Sequence, residues 1–120
     1  MGRLIREALG AAGFRATWVA DGVDAINFIF ERKPAAIVMD LMVPRLSGYD
    51  LCRLVRRCEA VCRTPIVVVS GHGEVENKLQ VFELGADDFV TKPFSAAELV
   101  SRVQALLEFA RRVVKPLAVH

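Results

Sequence analysis

A chain of 120 residues is the size of one domain and leaves no room for a second. Its AVILMFWYC residues make up 53%, above the ~45–50% of ordinary soluble domains even before its eight glycines are counted. An aspartate or an arginine nevertheless interrupts every apolar run well short of the ~20 residues of a membrane span. Sixteen basic against fourteen acidic residues give a net charge of +2, which excludes the strongly basic balance of a dedicated nucleic-acid binder. Cys52, Cys58 and Cys62 are an odd set without a regular framework, which points to reduced thiols and a cytoplasmic setting. With His72 and His120 far off in sequence, they do not make a zinc site. The first residues lack the apolar core of a secretory signal, and Arg6 stands where myristoylation requires Ser or Thr.

Helical and extended patterns alternate along the chain. Leu4, Ile5, Ala8, Leu9 and Ala12 recur at helical spacing, with Gly13 as the C-terminal cap. Phe14 to Val19 alternates around Arg15 and Thr17 and predicts a half-exposed strand, and Asp21-Gly22 predicts a turn. Val23, Ile26, Ile29 and Phe30 form the next helical face, which Pro34 terminates. Ala35 to Met39 is an unbroken apolar run ending on Asp40. Gly48 precedes a helix bearing Leu51, Leu54, Val55 and Cys58. Pro65 to Val69 is a second apolar run, ending on Ser70, and its β-branched content fits a strand covered on both faces. Val75, Leu79 and Phe82 predict a fourth helix with Gly85 behind it, and 88–91 predicts a short strand followed by Lys92. Ser95 and Glu98 form a capping box that opens a fifth helix through Leu99, Val103, Leu106 and Leu107 to about Ala110. The residues after 112 carry no periodicity and read as a tail or the start of a linker, so the domain is taken as 1–112.

This alternation predicts an α/β domain with a doubly wound parallel sheet and helices on both faces. Ligands in such folds bind at the carboxyl ends of the strands. Asp40, Ser70 and Lys92 each stand at one such end. A carboxylate there can attack a phosphoryl group and form an acyl phosphate. A lysine neutralises the added oxygens, and a hydroxyl donates to another of them. Phosphoryl transfer asks for little beyond positioning and charge neutralisation.

Three stretches carry a resemblance: Ile-Val-Met-Asp-Leu-Met-Val-Pro-Arg-Leu-Ser-Gly-Tyr-Asp-Leu at 37–51, Pro-Ile-Val-Val-Val-Ser-Gly at 65–71, and Gly-Ala-Asp-Asp-Phe-Val-Thr-Lys-Pro-Phe at 85–94. Together they resemble the receiver domains of two-component response regulators, a CheY-like branch of the flavodoxin-like fold, and the likeness runs from residue 3 to about 110. The resemblance implies that Asp40 is the phospho-acceptor, Ser70 the switch hydroxyl and Lys92 the phosphate-binding lysine, with a cis bond between Lys92 and Pro93. It implies magnesium held by Asp40 and the backbone carbonyl of Met42. Phe89 falls where receivers carry an aromatic switch residue, while its own surroundings read as a hydrophobic plug. The implied partner is a sensor histidine kinase or phosphotransfer protein, with output through the fourth helix, the last strand and the fifth helix. No membrane contact and no direct nucleic-acid binding are expected of the domain, and receivers are not enzymes in the usual sense.

The chain also departs from that pattern. Receivers open with an apolar strand ending in two acidic residues, whereas this sequence opens inside the following helix and holds no Asp or Glu before Glu7. The expectation is an N-terminally truncated version of a longer gene product, its sheet without the central first strand and its magnesium binding weakened. Any stable form is expected to have rearranged edges or to pair as a strand-exchanged homodimer. The rival reading is a phosphorylation-independent pseudo-receiver that serves as an interaction or dimerisation module. A nucleotide-binding enzyme is disfavoured, because neither GxGxxG nor GxxxxGK[ST] occurs. Arg53, Arg56, Arg57 and Arg63 read as a solvated face, and Asp87 and Asp88 as loop and cap residues away from the site.

Overall fold

The computed structural model describes residues 2–40, 46, 48–71, 82–83 and 85–119, with the side chains of 2, 70 and 111–119 outside the description. Its elements are α1 (Gly2–Ala11), α2 (Gly22–Arg32), β1 (Ile37–Asp40), α3 (Gly48–Arg57), β2 (Ile66–Ser70), β3 (Asp88–Thr91) and α4 (Ala96–Val119). The expected helix at Val75 and Leu79 lies outside the described residues, although 82–83 are helical.

Local chemistry explains the boundaries. α1 ends in a left-handed glycine, Gly13 at φ 97°, with Phe14 N–H donating to Leu9 O and Gly13 N–H to Gly10 O. Asp21 does more than turn the chain. Its carboxylate accepts from the N–H groups of Val23 and Asp24 and caps α2. Lys33 closes that helix in the left-handed region at φ 48°, directly before Pro34. Ser95 Oγ accepts from Glu98 N–H at 3.0 Å, as the capping box requires. Beyond Ala110 the apolar periodicity fades but the backbone stays helical to Val119, so the expected tail is part of α4.

The sheet is parallel in the order β1-β2-β3, pairing Ile37 with Ile66 and Asp40 with Val69, then Val67 with Asp88 and Ser70 with Thr91. Strand alternation sends Ile37, Met39, Ile66, Val68 and Phe89 to one face, where Ile26 and Ile29 of α2 and Leu51, Cys52 and Val55 of α3 cover them. Val67, Val69 and Val90 point to the other face, against Leu9 of α1 and Leu99 and Val103 of α4. Both faces are therefore buried, which is why β1 and β2 read as apolar runs up to Asp40 and Ser70.

Three expectations are corrected. Residues 14–20 join no ladder, and no described strand lies on the side of β1 away from β2. Phe14 and Ala16 still pack against the buried cluster of Leu9, Val67, Val69, Val90, Leu99 and Val103, so the alternation in that segment reflects one-sided burial rather than strand pairing. Leu54 is 41% exposed. At 100° per residue it lies about 60° to one side of Leu51, while Val55 and Cys52 lie on the other side, and the buried stripe follows Gly48, Leu51, Cys52 and Val55. Leu4 likewise falls off the Ile5–Leu9 stripe and is exposed.

Candidate functional site

Because the three strands are parallel, their carboxyl ends Asp40, Ser70 and Thr91 share one rim of the sheet. Lys92 follows Thr91 immediately. β2 separates β1 from β3, so the backbones carrying Asp40 and Lys92 stand about 10 Å apart across the sheet. A long, unbranched lysine stem spans that gap, and Nζ donates to Asp40 Oδ2 at 2.7 Å. The two side chains are 28% and 29% exposed for Lys92 and Asp40. The pair is thus partly withdrawn from water yet open to an incoming group. The Lys92-Pro93 bond is cis.

The structure brings together two of the residues singled out in the sequence, Asp40 and Lys92. Ser70 is on the same rim by backbone register, paired with Thr91, and its side chain lies outside the described residues. Met42 and His72 lie outside them altogether. Phe89 is in the interior, 5% exposed, with its ring centroid 6.4 Å from that of Phe82.

Two features escaped the sequence reading. Arg56 is no part of a solvated face. Its side chain is 21% exposed and bonds to Gly85, Cys62, Thr64 and Asp87, whereas Arg53, Arg57 and Arg63 are exposed. The signal was present: Arg56 is four residues from Cys52 and so flanks the buried stripe of α3. Asp87 and Asp88 are away from the rim as expected, but both make specific bonds. Asp87 Oδ2 accepts from Ile66 N–H at 2.8 Å, and Asp88 grips Arg102 of α4 through both carboxylate oxygens at 2.8 and 3.0 Å.

At the rim, the Asp40 carboxylate faces an ammonium with three donors, enough to hold Asp40 and a further anionic oxygen together. Receiver domains typically bind magnesium at this place. Among the described residues no group of three His, Cys, Asp or Glu side chains is placed to hold a metal ion. One carboxylate already bonded to an ammonium is not a magnesium donor set, so the described residues do not by themselves fit the ion.

Comparisons with known proteins agree with this architecture. The family described as response regulator receiver domain matches residues 1–104. The chain is 41% identical over 104 residues to the phosphate regulon transcriptional regulatory protein PhoB of Pseudomonas aeruginosa, covering 87% of this chain and 45% of that protein. It is 34% identical over 110 residues to the DNA-binding dual master transcriptional regulator RpaA of a Synechocystis strain, covering 92% and 46%. The chain therefore spans less than half the length of these relatives. Among solved structures, the receiver domain of NtrX from Brucella abortus superposes with a TM-score of 0.81 at 29% identity, covering 88% of both chains. The receiver domain of the sensor histidine kinase PA1611 from Pseudomonas aeruginosa, which has magnesium coordinated in its active-site cleft, gives 0.80 at 31% identity and covers 88% of this chain and 87% of its own. The chain accordingly belongs to the receiver-domain family of two-component response regulators, with that family's flavodoxin-like fold.

Proposed function

We propose that this receiver domain accepts a phosphoryl group on Asp40 from the phosphohistidine of a sensor kinase or phosphotransfer protein. The observation that carries the reading is the 2.7 Å contact of Lys92 Nζ with Asp40 Oδ2 at the strand rim. In the proposed step a carboxylate oxygen of Asp40 attacks phosphorus and forms an O–P bond, while the P–N bond of the donor breaks. The imidazole leaves with the bonding electron pair and takes up a proton. The product is an acyl phosphate, whose new negative charge Lys92 offsets without changing its own protonation. Ser70 enters the proposal through its position on the rim, as the hydroxyl that donates to a phosphoryl oxygen. No step is routed through a metal ion.

The signal would leave through the surface built from 82–83, β3 and α4, in which the Asp88–Arg102 pair ties β3 to α4. The output of the longer protein, transcriptional in the relatives named above, belongs to the proposal only through those names. No helix among the described residues is long and apolar enough to cross a membrane, and a cytoplasmic site of action fits the partner proposed.

The test is intact-mass measurement after incubation with acetyl phosphate and magnesium. A gain of one phosphoryl mass in the native chain, lost in Asp40→Asn, is expected. An unchanged mass for the native chain rejects the acceptor role and leaves a receiver fold that works as a phosphorylation-independent interaction module.

A further inference from the structure

Arg56 joins the chain segments that enter two of the three strands. All five of its guanidinium N–H groups are used: Nε donates to Gly85 O at 2.9 Å, one terminal nitrogen to Thr64 O at 2.6 Å and Cys62 O at 3.1 Å, and the other to Asp87 Oδ2 at 2.8 Å and again to Gly85 O. Cys62 and Thr64 lead into β2, and Gly85 and Asp87 lead into β3. Asp87 completes the clamp by exchanging two bonds with Ile66, its N–H donating to Ile66 O at 2.9 Å and its carboxylate accepting from Ile66 N–H at 2.8 Å. The site also has room made for it. Gly85 sits at φ 111°, and a Cβ there would lie 2.8 Å from the Arg56 side chain.

We infer that Arg56 is a positioning residue for the rim pair, holding β3 in the register that delivers Lys92 to Asp40. β3 has four residues and, among the described elements, one ladder partner, β2. Burial of Phe89 and Val90 on opposite faces already opposes a slip of one residue, which would turn Phe89 out of the core and move Lys92 along the strand by about 3.3 Å, but a four-residue ladder leaves its entry free to shift. Fixing the entry points of β2 and β3 to one rigid fork removes that freedom at the end of the sheet opposite the site. Lysine, with three donors on a flexible stem, cannot replace the fork. The functional meaning of this inference rests on the proposed role of Asp40 and Lys92, but the geometry it concerns is measurable without phosphate.

The experiment is acylation of the folded chain by an N-hydroxysuccinimide ester of acetic acid, with the rate at each lysine followed by peptide mass mapping. In the native chain Lys92 is held by Asp40 and reacts slowly, and Asp40→Asn sets the rate of the released amine. Arg56→Met is expected to raise the Lys92 rate several-fold toward that reference. Arg56→Lys, which keeps the charge and the fold should the first variant not fold, is expected to fall between. The control is Ile29→Ala, compared at denaturant midpoints that show equal loss of stability, and it should leave Lys92 slow. A Lys92 rate in either Arg56 variant equal to that of the native chain, or no greater than in the control, overturns the inference. A native chain that takes no phosphate removes the proposed function instead, and leaves the clamp to be decided by the acylation rates.

Discussion

Asp40 and Lys92 are 52 residues apart in sequence and 2.7 Å apart in space. Two strand ends separated by a third meet through one lysine stem, and the contact brings opposite charges together at a rim that stays open to solvent. The pair's contribution to stability is small, because both side chains keep more than a quarter of their surface in water. Lys92→Met should change unfolding free energy by no more than about 1 kcal/mol. Its effect on phosphorylation should be far larger, slowing transfer from acetyl phosphate by one or more orders of magnitude as the developing charge goes unbalanced. Urea melts and a mass-spectrometric time course measure the two quantities on one preparation. Equal phosphorylation rates in Lys92→Met and the native chain would remove Lys92 from the site.

Gly22 tests a packing constraint at the start of α2. It is the first residue of α2, it is buried, and a Cβ on it would lie 2.5 Å from the carbonyl oxygen of Leu46 and 2.6 Å from the Leu46 Cβ. Alanine is favoured over glycine by up to about 1 kcal/mol within a helix. Overlap with a backbone carbonyl costs about 1–3 kcal/mol, so the clash wins. Gly22→Ala should lower the thermal midpoint, where helix propensity alone predicts a rise. A higher midpoint would mean that the chain at Leu46 yields without cost.

These residues show what the sequence exposes and what it hides. β1 and β2 were legible because burial on both faces leaves apolar, largely β-branched runs ending on Asp40 and Ser70, whereas β3, Asp-Phe-Val-Thr, shows only Phe89 and Val90 between polar residues. Asp40 and Lys92 were legible as a pair only once the runs were taken as parallel neighbours. The segment Phe14–Val19 misled, since one-sided burial and strand pairing write the same alternation, and only a ladder partner distinguishes them. Arg56 was hidden by its neighbours. Amid Arg53, Arg57 and Arg63 it looks like one more surface charge, and its partners are mostly backbone carbonyls, which leave no mark in a sequence.

Phe89 and Phe82 form a tilted pair with unequal burial, 5% exposed against 38%. Phe89 lies in the core with Met39, Cys52, Ile66 and Val68. Phe89→Ala should therefore cost about 3–5 kcal/mol, the range for emptying a phenylalanine site in a packed interior. Phe82→Ala should cost about 1 kcal/mol or less, since much of its ring is already in water. Equilibrium unfolding of the two variants decides this. A small loss for Phe89→Ala would place its ring outside the core and give it the freedom of a rotating switch.

Cys52 carries a pH dependence of stability. Its thiol is buried between α3 and β1, with Sγ 3.6 Å from Met39 Sδ. Burial pushes its pKa up from 9.0 to about 11, Arg56 pulling it down and Asp87 adding to the rise. An unfolded chain ionises this thiol near pH 9 while the folded chain keeps it neutral, so between those values the unfolded state binds fewer protons and stability falls as pH rises. The contribution is whole below pH 9 and lost as pH approaches 11, on the order of 2–3 kcal/mol across the window. Other groups titrate in the same range, so the measurement is a difference. Unfolding free energies of the native chain and Cys52→Ala, taken at pH 8 and pH 10.5 under reducing conditions, should converge at the higher pH. A constant gap between the two proteins would mean that the folded structure admits the thiolate as readily as water does.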